Sequence, residues 1–274
     1  MTATQRREID VAAVTAMLSA PARGRLESIE HFATIGSTNA HLLASAPPGP
    51  GRMRVALAEY QEAGRGRQGR RWQMPPGAGI ALSAAWTFAA APRDLSALSL
   101  AVGAAARRAI RASAGIDVGL KWPNDLMLDG GKTGGILVEI GRQASGAFHV
   151  VAGIGINVAL PAGVLAGLGD GRLPARDLAG ETATAIDRTR LAAALIEGLA
   201  GLFAEFATTG FAPWRDEWLA AHVLADRRIE IQSALARTAG IVRGIDADGA
   251  LLVEDEAGAR RRILSGDVTV RESA

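Results

Sequence analysis

Two stretches of this chain carry residue types with chemistry to do. The first, Gly64-Arg65-Gly66-Arg67-Gln68-Gly69-Arg70-Arg71-Trp72, interleaves glycines with arginines. The second, Lys121-Trp122-Pro123-Asn124-Asp125-Leu126, sets a lysine ahead of a proline, an amide and a carboxylate. Glycines let a backbone approach a ligand closely and leave its N–H groups free to donate. Arginines add forked donors that match carboxylate or phosphate. The first stretch therefore reads as an anion-binding loop, expected to stay disordered until an anion gives its charge a partner. Its plainer reading is a solvated basic loop or a non-catalytic Arg/Gly nucleic-acid-binding module. Trp72 and the strands predicted on either side argue for a loop pinned inside a fold.

Lys121 and Lys132 are the only lysines, although Lys and Arg together number 30. Where a chain that writes its positive charge as Arg keeps Lys, a compact point charge does what a wide fork cannot. A lysine at a strand end can bridge a carboxylate and a phosphoryl group as charge builds in a transition state. Asp125 is placed to hold a Mg²⁺ or to orient a neighbour, against the simpler reading that Pro-Asn-Asp is turn chemistry. Ser37, Thr38 and Asn39 read first as a helix-capping cluster and second as contacts for a small polar ligand, with Gln61 able to join them. Gly153-Ile154-Gly155-Ile156-Asn157 is not followed by a helical pattern. It is therefore a strand with close-packed glycines rather than a dinucleotide fingerprint. The four histidines lack metal spacing.

The rest of the composition narrows the class. At 274 residues with 49% hydrophobic and 21% charged residues, the chain suits one large domain and a small one. It has no cysteine, which excludes disulfides and thiolate chemistry and fits a cytoplasmic protein. No apolar run of membrane-spanning length and no signal-peptide pattern is present, so no membrane association is expected. A net charge of +2, despite a pI of about 9.6, is small for a dedicated nucleic-acid binder.

The elements that must position these residues follow from periodicity. Helices are predicted around Val11–Leu18 and over Ala40–Ala46, Ser96–Ala114 and Arg190–Ala207. Strands are predicted over Met53–Tyr60, Gly79–Phe88, Val118–Lys121, Gly135–Ile140 and Phe148–Val158. Ala159–Gly180 is expected to be a long mobile loop. After Trp218 come five short strand-like runs, Arg228–Gln232, Gly240–Ile245, Ala250–Glu254, Arg261–Leu264 and Val268–Arg271, with an Asp246–Gly249 hairpin turn. The plan is an α/β body with a C-terminal β-barrel.

With these residues in place, the chain resembles the biotin–protein ligases from about Phe32 onward. Ser37-Thr38-Asn39, the Gly64–Arg71 loop, Lys121–Asp125, Lys132–Glu139 and Gly153–Asn157 stand in that family's order and spacing. The resemblance implies an α+β fold: a mixed β-sheet backed by helices, related to class II aminoacyl-tRNA synthetases, then an SH3-like barrel. It divides the chain into a short extension (1–30), a catalytic domain (31–222) and the barrel (223–274).

It also implies ATP-dependent formation of biotinyl-5′-AMP and transfer of biotin to a lysine of a biotin carboxyl carrier protein, with Mg²⁺. By the same resemblance Ser37, Thr38, Asn39, Gln61, Gly64, Arg65, Gly66, Arg67 and Lys121 fall on the biotin side. Arg67, Arg70, Trp72, Asn124, Lys132 and Asn157 fall on the nucleotide side, and Lys121 and Arg67 serve catalysis. A homodimer is compatible with the family. Only thirty residues precede His31, so no specific DNA binding is expected. The loop over 159–180 should help hold adenine yet contains no Trp, and Thr133 replaces a usual aliphatic residue. The competing enzyme is a lipoate or octanoate ligase of the same fold, whose Arg-Arg-x-Gly-Gly signature is missing here.

Overall fold

A computed structural model describes residues 8–141, 146–165, 173–232, 237–264 and 266–270. Its elements in chain order are α1 (Val11–Met17), α2 (Ala20–Arg25), β1 (Leu26–Ile35), α3 (Thr38–Ala44), β2 (Met53–Gln61), β3 (Gly79–Phe88), α4 (Leu98–Ala114), β4 (Gly119–Lys121), β5 (Asp125–Leu128), β6 (Gly131–Ile140), β7 (Phe148–Asn157), α5 (Ala162–Leu165), α6 (Arg188–Thr209) and α7 (Ala212–Ala220). The C-terminal unit adds β8 (Arg228–Gln232), β9 (Arg237–Ile245), β10 (Leu251–Glu254), β11 (Arg260–Ile263) and β12 (Asp267–Val270). Seven strands form one mixed sheet in the order β1-β2-β3-β7-β6-β5-β4, parallel only between β1 and β2. The last five strands form a second sheet, β11-β10-β9-β8-β12, antiparallel throughout.

One face of the large sheet is closed by α4 and α6, the other carries α3 and an open cavity. Alanine-rich α4 buries Leu98, Ala101, Val102, Ala105 and Ala109, and the small side chains let it lie close against α6. It stops at Gly115, whose φ of 72° is the left-handed C-cap that glycine adopts without a Cβ penalty. Helix α6 starts where Asp187 Oδ1 accepts from the N–H groups of Thr189 and Arg190 at 2.9 and 3.2 Å. This helix is long and apolar enough to cross a membrane by composition alone, yet its apolar side is spent on the core. There Phe203 stacks on Trp86 of β3 with ring centroids 5.5 Å apart.

Three observations revise the sequence-based plan. Strand β1 begins at Leu26 and pairs with β2, and α1 and α2 pack on α6. The segment read as an extension over 1–30 is thus, from residue 8, packed into the body that carries the large sheet. Its anchor is a buried charge cluster, legible only in three dimensions. Glu59 of β2 accepts from Ile9 N at 2.9 Å, pairs with Arg188 Nη1 at 2.7 Å and lies 3.1 Å from His31 Nε2. Burial alone would raise the Glu59 carboxyl, but the Arg188 guanidinium and the Ile9 and His31 contacts together hold it below the ordinary value.

Second, the described residues of the stretch 159–180 take defined structure. It contains α5, a 3₁₀ turn at Leu178–Glu181 and a parallel bridge between Ala175 and Lys132, while 166–172 lie outside the described residues. Third, β5, α2 and α7 had no periodic signal long enough to show. The five barrel strands fall within a few residues of their predicted runs, although Arg271 lies outside the described residues.

Candidate active site

The cavity of about 460 Å³ on the open face is built from the ends of several elements. Its floor starts at α3. Ser37 is the N-cap, its Oγ accepting from Ala40 N at 3.4 Å, so the next two residues, Thr38 and Asn39, begin the helix facing the sheet. Gln61, the last residue of β2, accepts from Thr38 N at 2.8 Å and Thr38 Oγ1 at 3.1 Å. Both donors go to Gln61 Oε1, which leaves the Gln61 amide N–H₂ for other partners. Ser83 Oγ of β3 stands 2.7 Å from Thr38 Oγ1 and 2.5 Å from Asn39 Oδ1, and donates its one proton to either. Asn39 Nδ2 donates to Leu137 O at 3.2 Å and to Glu139 Oε2 at 2.9 Å. Ser37, Thr38, Asn39 and Ser83 are all buried.

Strand β7 explains the Gly-Ile-Gly-Ile-Asn motif. Alternate residues share a face, so Ile154 and Ile156 enter the core while Gly153, Gly155 and Asn157 face the cavity. A Cβ on Gly153 would overlap Asn39 Oδ1, and one on Gly155 would overlap the Trp72 indole. The two glycines are the seats of an amide and an indole. Asn157 donates to Arg176 O at 3.0 Å, while its buried Oδ1 and the Trp72 Nε1–H have no partner among the described residues.

The Gly/Arg stretch, expected to lack fixed structure, is a short hairpin in this structure. Trp72 N donates to Gly64 O at 2.9 Å, Gly66 N donates to Arg70 O at 2.7 Å, and Arg65 bridges Arg71. Its tip needs two left-handed residues, Gln68 (φ 56°) and Gly69 (φ 74°). Gly64 forms the neck, where a Cβ would overlap Trp72 O. The backbone thus satisfies itself locally, a folding route that composition hides.

Opposite the hairpin, β4 ends at buried Lys121 and returns through Trp122-Pro123-Asn124 into β5. Asn124 is tied to β6, its Nδ2 donating to Ile136 O at 2.8 Å and its carbonyl accepting from Ile136 N at 2.9 Å. Trp122 Nε1 donates to Gly249 O at 3.0 Å, and Ser96 Oγ donates to Asp248 O at 2.9 Å. The Asp246–Gly249 hairpin of the second sheet therefore buttresses the lysine turn. Asp125 Oδ1 pairs with Lys132 Nζ at 2.5 Å, and Oδ2 faces Lys121 Nζ at 4.0 Å.

That pairing revises the reading of Asp125 as a Mg²⁺ holder. Both of its oxygens are turned to ammonium groups, and no group of three or more His, Asp or Glu among the described residues is placed to hold a metal. A resident metal does not fit this donor set. Segment 173–177 closes the side of the cavity, with Lys132 N donating to Pro174 O at 2.8 Å and Arg176 N to Lys132 O at 2.9 Å.

The cavity wall brings together Ser37, Thr38, Asn39, Gln61, Arg65, Gly66, Arg67, Arg70, Trp72, Lys121, Asn124, Asp125, Lys132 and Asn157. Gly64 stands just outside, at the hairpin neck. Sequence reasoning missed Ser83, which looks like one small residue in a buried strand, and Glu139. None of the histidines lines the cavity. His222 is buried beside Trp218, ring centroids 4.4 Å apart, and burial pushes its pKa down to about 4.

The fold and this cavity define a class: a mixed-sheet domain with a polar and cationic cavity on its open face, followed by a small barrel, and comparison with known proteins narrows it. The Biotin/lipoate A/B protein ligase family matches residues 35–157, and the Biotin protein ligase C terminal domain matches 226–271. The biotin–[acetyl-CoA-carboxylase] ligase of Paracoccus denitrificans is 40% identical over 83% of this chain and 94% of its own. The bifunctional ligase/repressor BirA of Escherichia coli K12 is 33% identical over 90% of this chain and 75% of its own. The biotin protein ligase of Aquifex aeolicus, solved in complex with biotin and ATP, shares the fold with a TM-score of 0.70. It is 23% identical over 91% of this chain and 99% of its own. The chain belongs to the biotin protein ligase family.

Proposed function

We propose that this chain activates biotin with ATP and transfers it to a lysine of a biotin carboxyl carrier protein of the acetyl-CoA carboxylase type. The observation that carries the reading is one cavity walled by an amide-and-hydroxyl floor, an arginine hairpin and Lys121. A bicyclic urea presents N–H donors and a carbonyl acceptor, which Asn39, Thr38, Gln61 and Ser83 complement. A dithiolane presents neither. Lipoate would leave these buried groups unmatched, and a site built to hydrogen-bond its ligand rejects one that cannot.

In the first step a biotin carboxylate oxygen attacks the α-phosphorus of ATP. The bond to the β-phosphate oxygen breaks, pyrophosphate leaves and biotinyl-5′-AMP forms. Two anions must meet for this, and Arg65, Arg67 and Lys121 supply the opposing charge, with Lys121 as the point charge at the acyl–phosphate junction. Any Mg²⁺ enters as the counter-ion of the ATP phosphates. The unpartnered Asn157 Oδ1 suits the adenine amino group, and Trp72, Arg70, Asn124 and Lys132 line the nucleotide side. The mixed anhydride is water-sensitive, and the hairpin over 64–72 is the element that excludes water. In the second step the carrier's neutral amine attacks the acyl carbon, the C–O bond to AMP breaks, AMP leaves, the nitrogen loses one proton to solvent, and the amide remains.

A net charge of +2 supports a chain that does not bind DNA specifically, and the absence of cysteine supports a cytoplasmic setting. Mass spectrometry of the protein with biotin and MgATP should show the adenylate, and pyrophosphate–ATP exchange should require biotin and not accept lipoate. A folded protein that makes no adenylate refutes the proposal.

A further inference from the structure

We infer that Glu139 is a positioning residue that couples the ring-binding amide of Asn39 to the arginine hairpin. The inference rests on the biotin reading above and adds a residue that does not itself touch substrate. Glu139 lies near the end of β6, two residues beyond Leu137, on the face that carries Gly153 opposite Leu137. Its carboxylate is shared. Oε2 accepts from Asn39 Nδ2 at 2.9 Å, and Oε1 pairs with Arg65 Nη2 at 3.2 Å.

Each contact has a consequence. With Leu137 O taking the other hydrogen at 3.2 Å, both Asn39 amide protons are committed. Turning the amide over would set Oδ1 against a carboxylate and a carbonyl, two acceptors. Glu139 therefore fixes Asn39 with Oδ1 toward Ser83 and Gly153, as an acceptor for a ring N–H. On the other oxygen, Arg65 meets Glu139 as an ion pair rather than an aligned hydrogen bond, which leaves the N–H donors of the fork for the ligand anion and holds the hairpin entry toward the floor. The pair is half-exposed on the arginine side, so its direct Coulomb contribution is modest. Its value lies in geometry: one rigid carboxyl group serves two elements that are distant in sequence, so opening the hairpin frees Glu139 to rotate and releases the Asn39 amide.

The test is biotin binding by titration calorimetry without nucleotide, which needs no turnover, on wild type, Glu139→Ala, Glu139→Gln, Arg65→Ala and the Glu139→Ala/Arg65→Ala double variant. Glu139→Ala should weaken biotin about tenfold, the size of one to two lost orienting hydrogen bonds. The ATP KM should stay within about twofold, because the side-chain partners of Glu139 among the described residues, Asn39 and Arg65, both belong to the biotin side. Arg65→Ala should weaken biotin in wild type and add less than about threefold on Glu139→Ala, the non-additivity of a shared network. Glu139→Gln keeps one acceptor and should fall between, and it carries the comparison if Glu139→Ala does not fold. Fully additive losses, or equal loss on the biotin and ATP sides, overturn the coupling. Wild type that binds no biotin overturns the functional reading instead, so the two failures are distinct.

Discussion

Replacing Gly153 by Ala isolates the biotin side of the site with a single methyl group. Gly153 sits inside β7, paired with Ser83 on one side and Leu137 on the other. Its backbone is not left-handed, so alanine suits it conformationally. On propensity alone the change should stabilise the strand, by about 0.5–1 kcal/mol. Packing reverses the sign. The new Cβ would overlap Asn39 Oδ1 and approach Cγ and Nδ2 at 2.9 and 3.2 Å. Asn39 cannot slide away cheaply, because Ser83, Leu137 and Glu139 all hold it.

Expelling it forfeits three internal hydrogen bonds, roughly 2–4 kcal/mol at about 1 kcal/mol each. In a chain of this size that lowers Tm by roughly 5–10 °C. The ligand also loses its acceptor, which should weaken biotin by about 10- to 100-fold. The control is Gly155→Ala, two residues along the same face. There the Cβ would meet the Trp72 indole, with Nε1 at 2.7 Å, so the ATP KM should rise while the biotin KM changes less than about threefold. Steady-state pyrophosphate release with each substrate varied, beside calorimetric melting, reads both effects. If Gly153→Ala leaves the biotin KM untouched, or if both variants shift the same substrate, the assignment of the two glycines to two subsites is wrong.

Further expectations follow from the same coordinates. Lys121→Arg conserves charge but puts a fork at a buried point-charge position, and should cut kcat for adenylation on the order of a hundredfold; near-normal turnover would make Lys121 structural. Arg67→Gly should leak biotinyl-AMP and label bystander lysines, visible by streptavidin blotting of added albumin; labelling confined to the carrier would remove Arg67 from intermediate retention. Thr133 is fully buried and its hydroxyl has no partner among the described residues, so Thr133→Val should raise stability by about 1 kcal/mol in urea denaturation, and a loss would mean the hydroxyl has a bound partner. His222 is neutral in the folded state and its folded pKa of about 4 lies below the ordinary 6.5. The unfolded chain therefore binds the extra proton between those values. Stability that is fully present above about pH 6.5 should fall by about 3 kcal/mol as pH drops to about 4. His222→Leu should flatten that part of the Tm–pH curve, and an unchanged slope would place the titration elsewhere.

What the sequence determined by itself was everything carried by local periodicity and by rare residue types. Alternation and Gly/Pro breaks located β3, β7, α4, α6 and the five barrel strands to within a few residues, because each depends on neighbours two to four positions away. The two lysines, singled out as rare residues, stand at the end of β4 and the start of β6, and the fold brings both to the cavity wall. What tertiary structure decided were the relations between distant residues. Leu26–Ile35 carries no sharp strand signal, and only pairing with Met53–Gln61 and the Glu59–Arg188 cluster makes it the edge of the sheet. Asp125 looks like a metal ligand in sequence and becomes a lysine counter-ion because a β-hairpin folds Lys132 back onto it. The Gly/Arg run reads as unpartnered charge, yet its own backbone closes a hairpin around left-handed Gln68 and Gly69. Ser83 and Glu139 were silent, because a hydroxyl or carboxylate in a strand acquires meaning only when cross-strand register brings it to Asn39, tens of residues away along the chain.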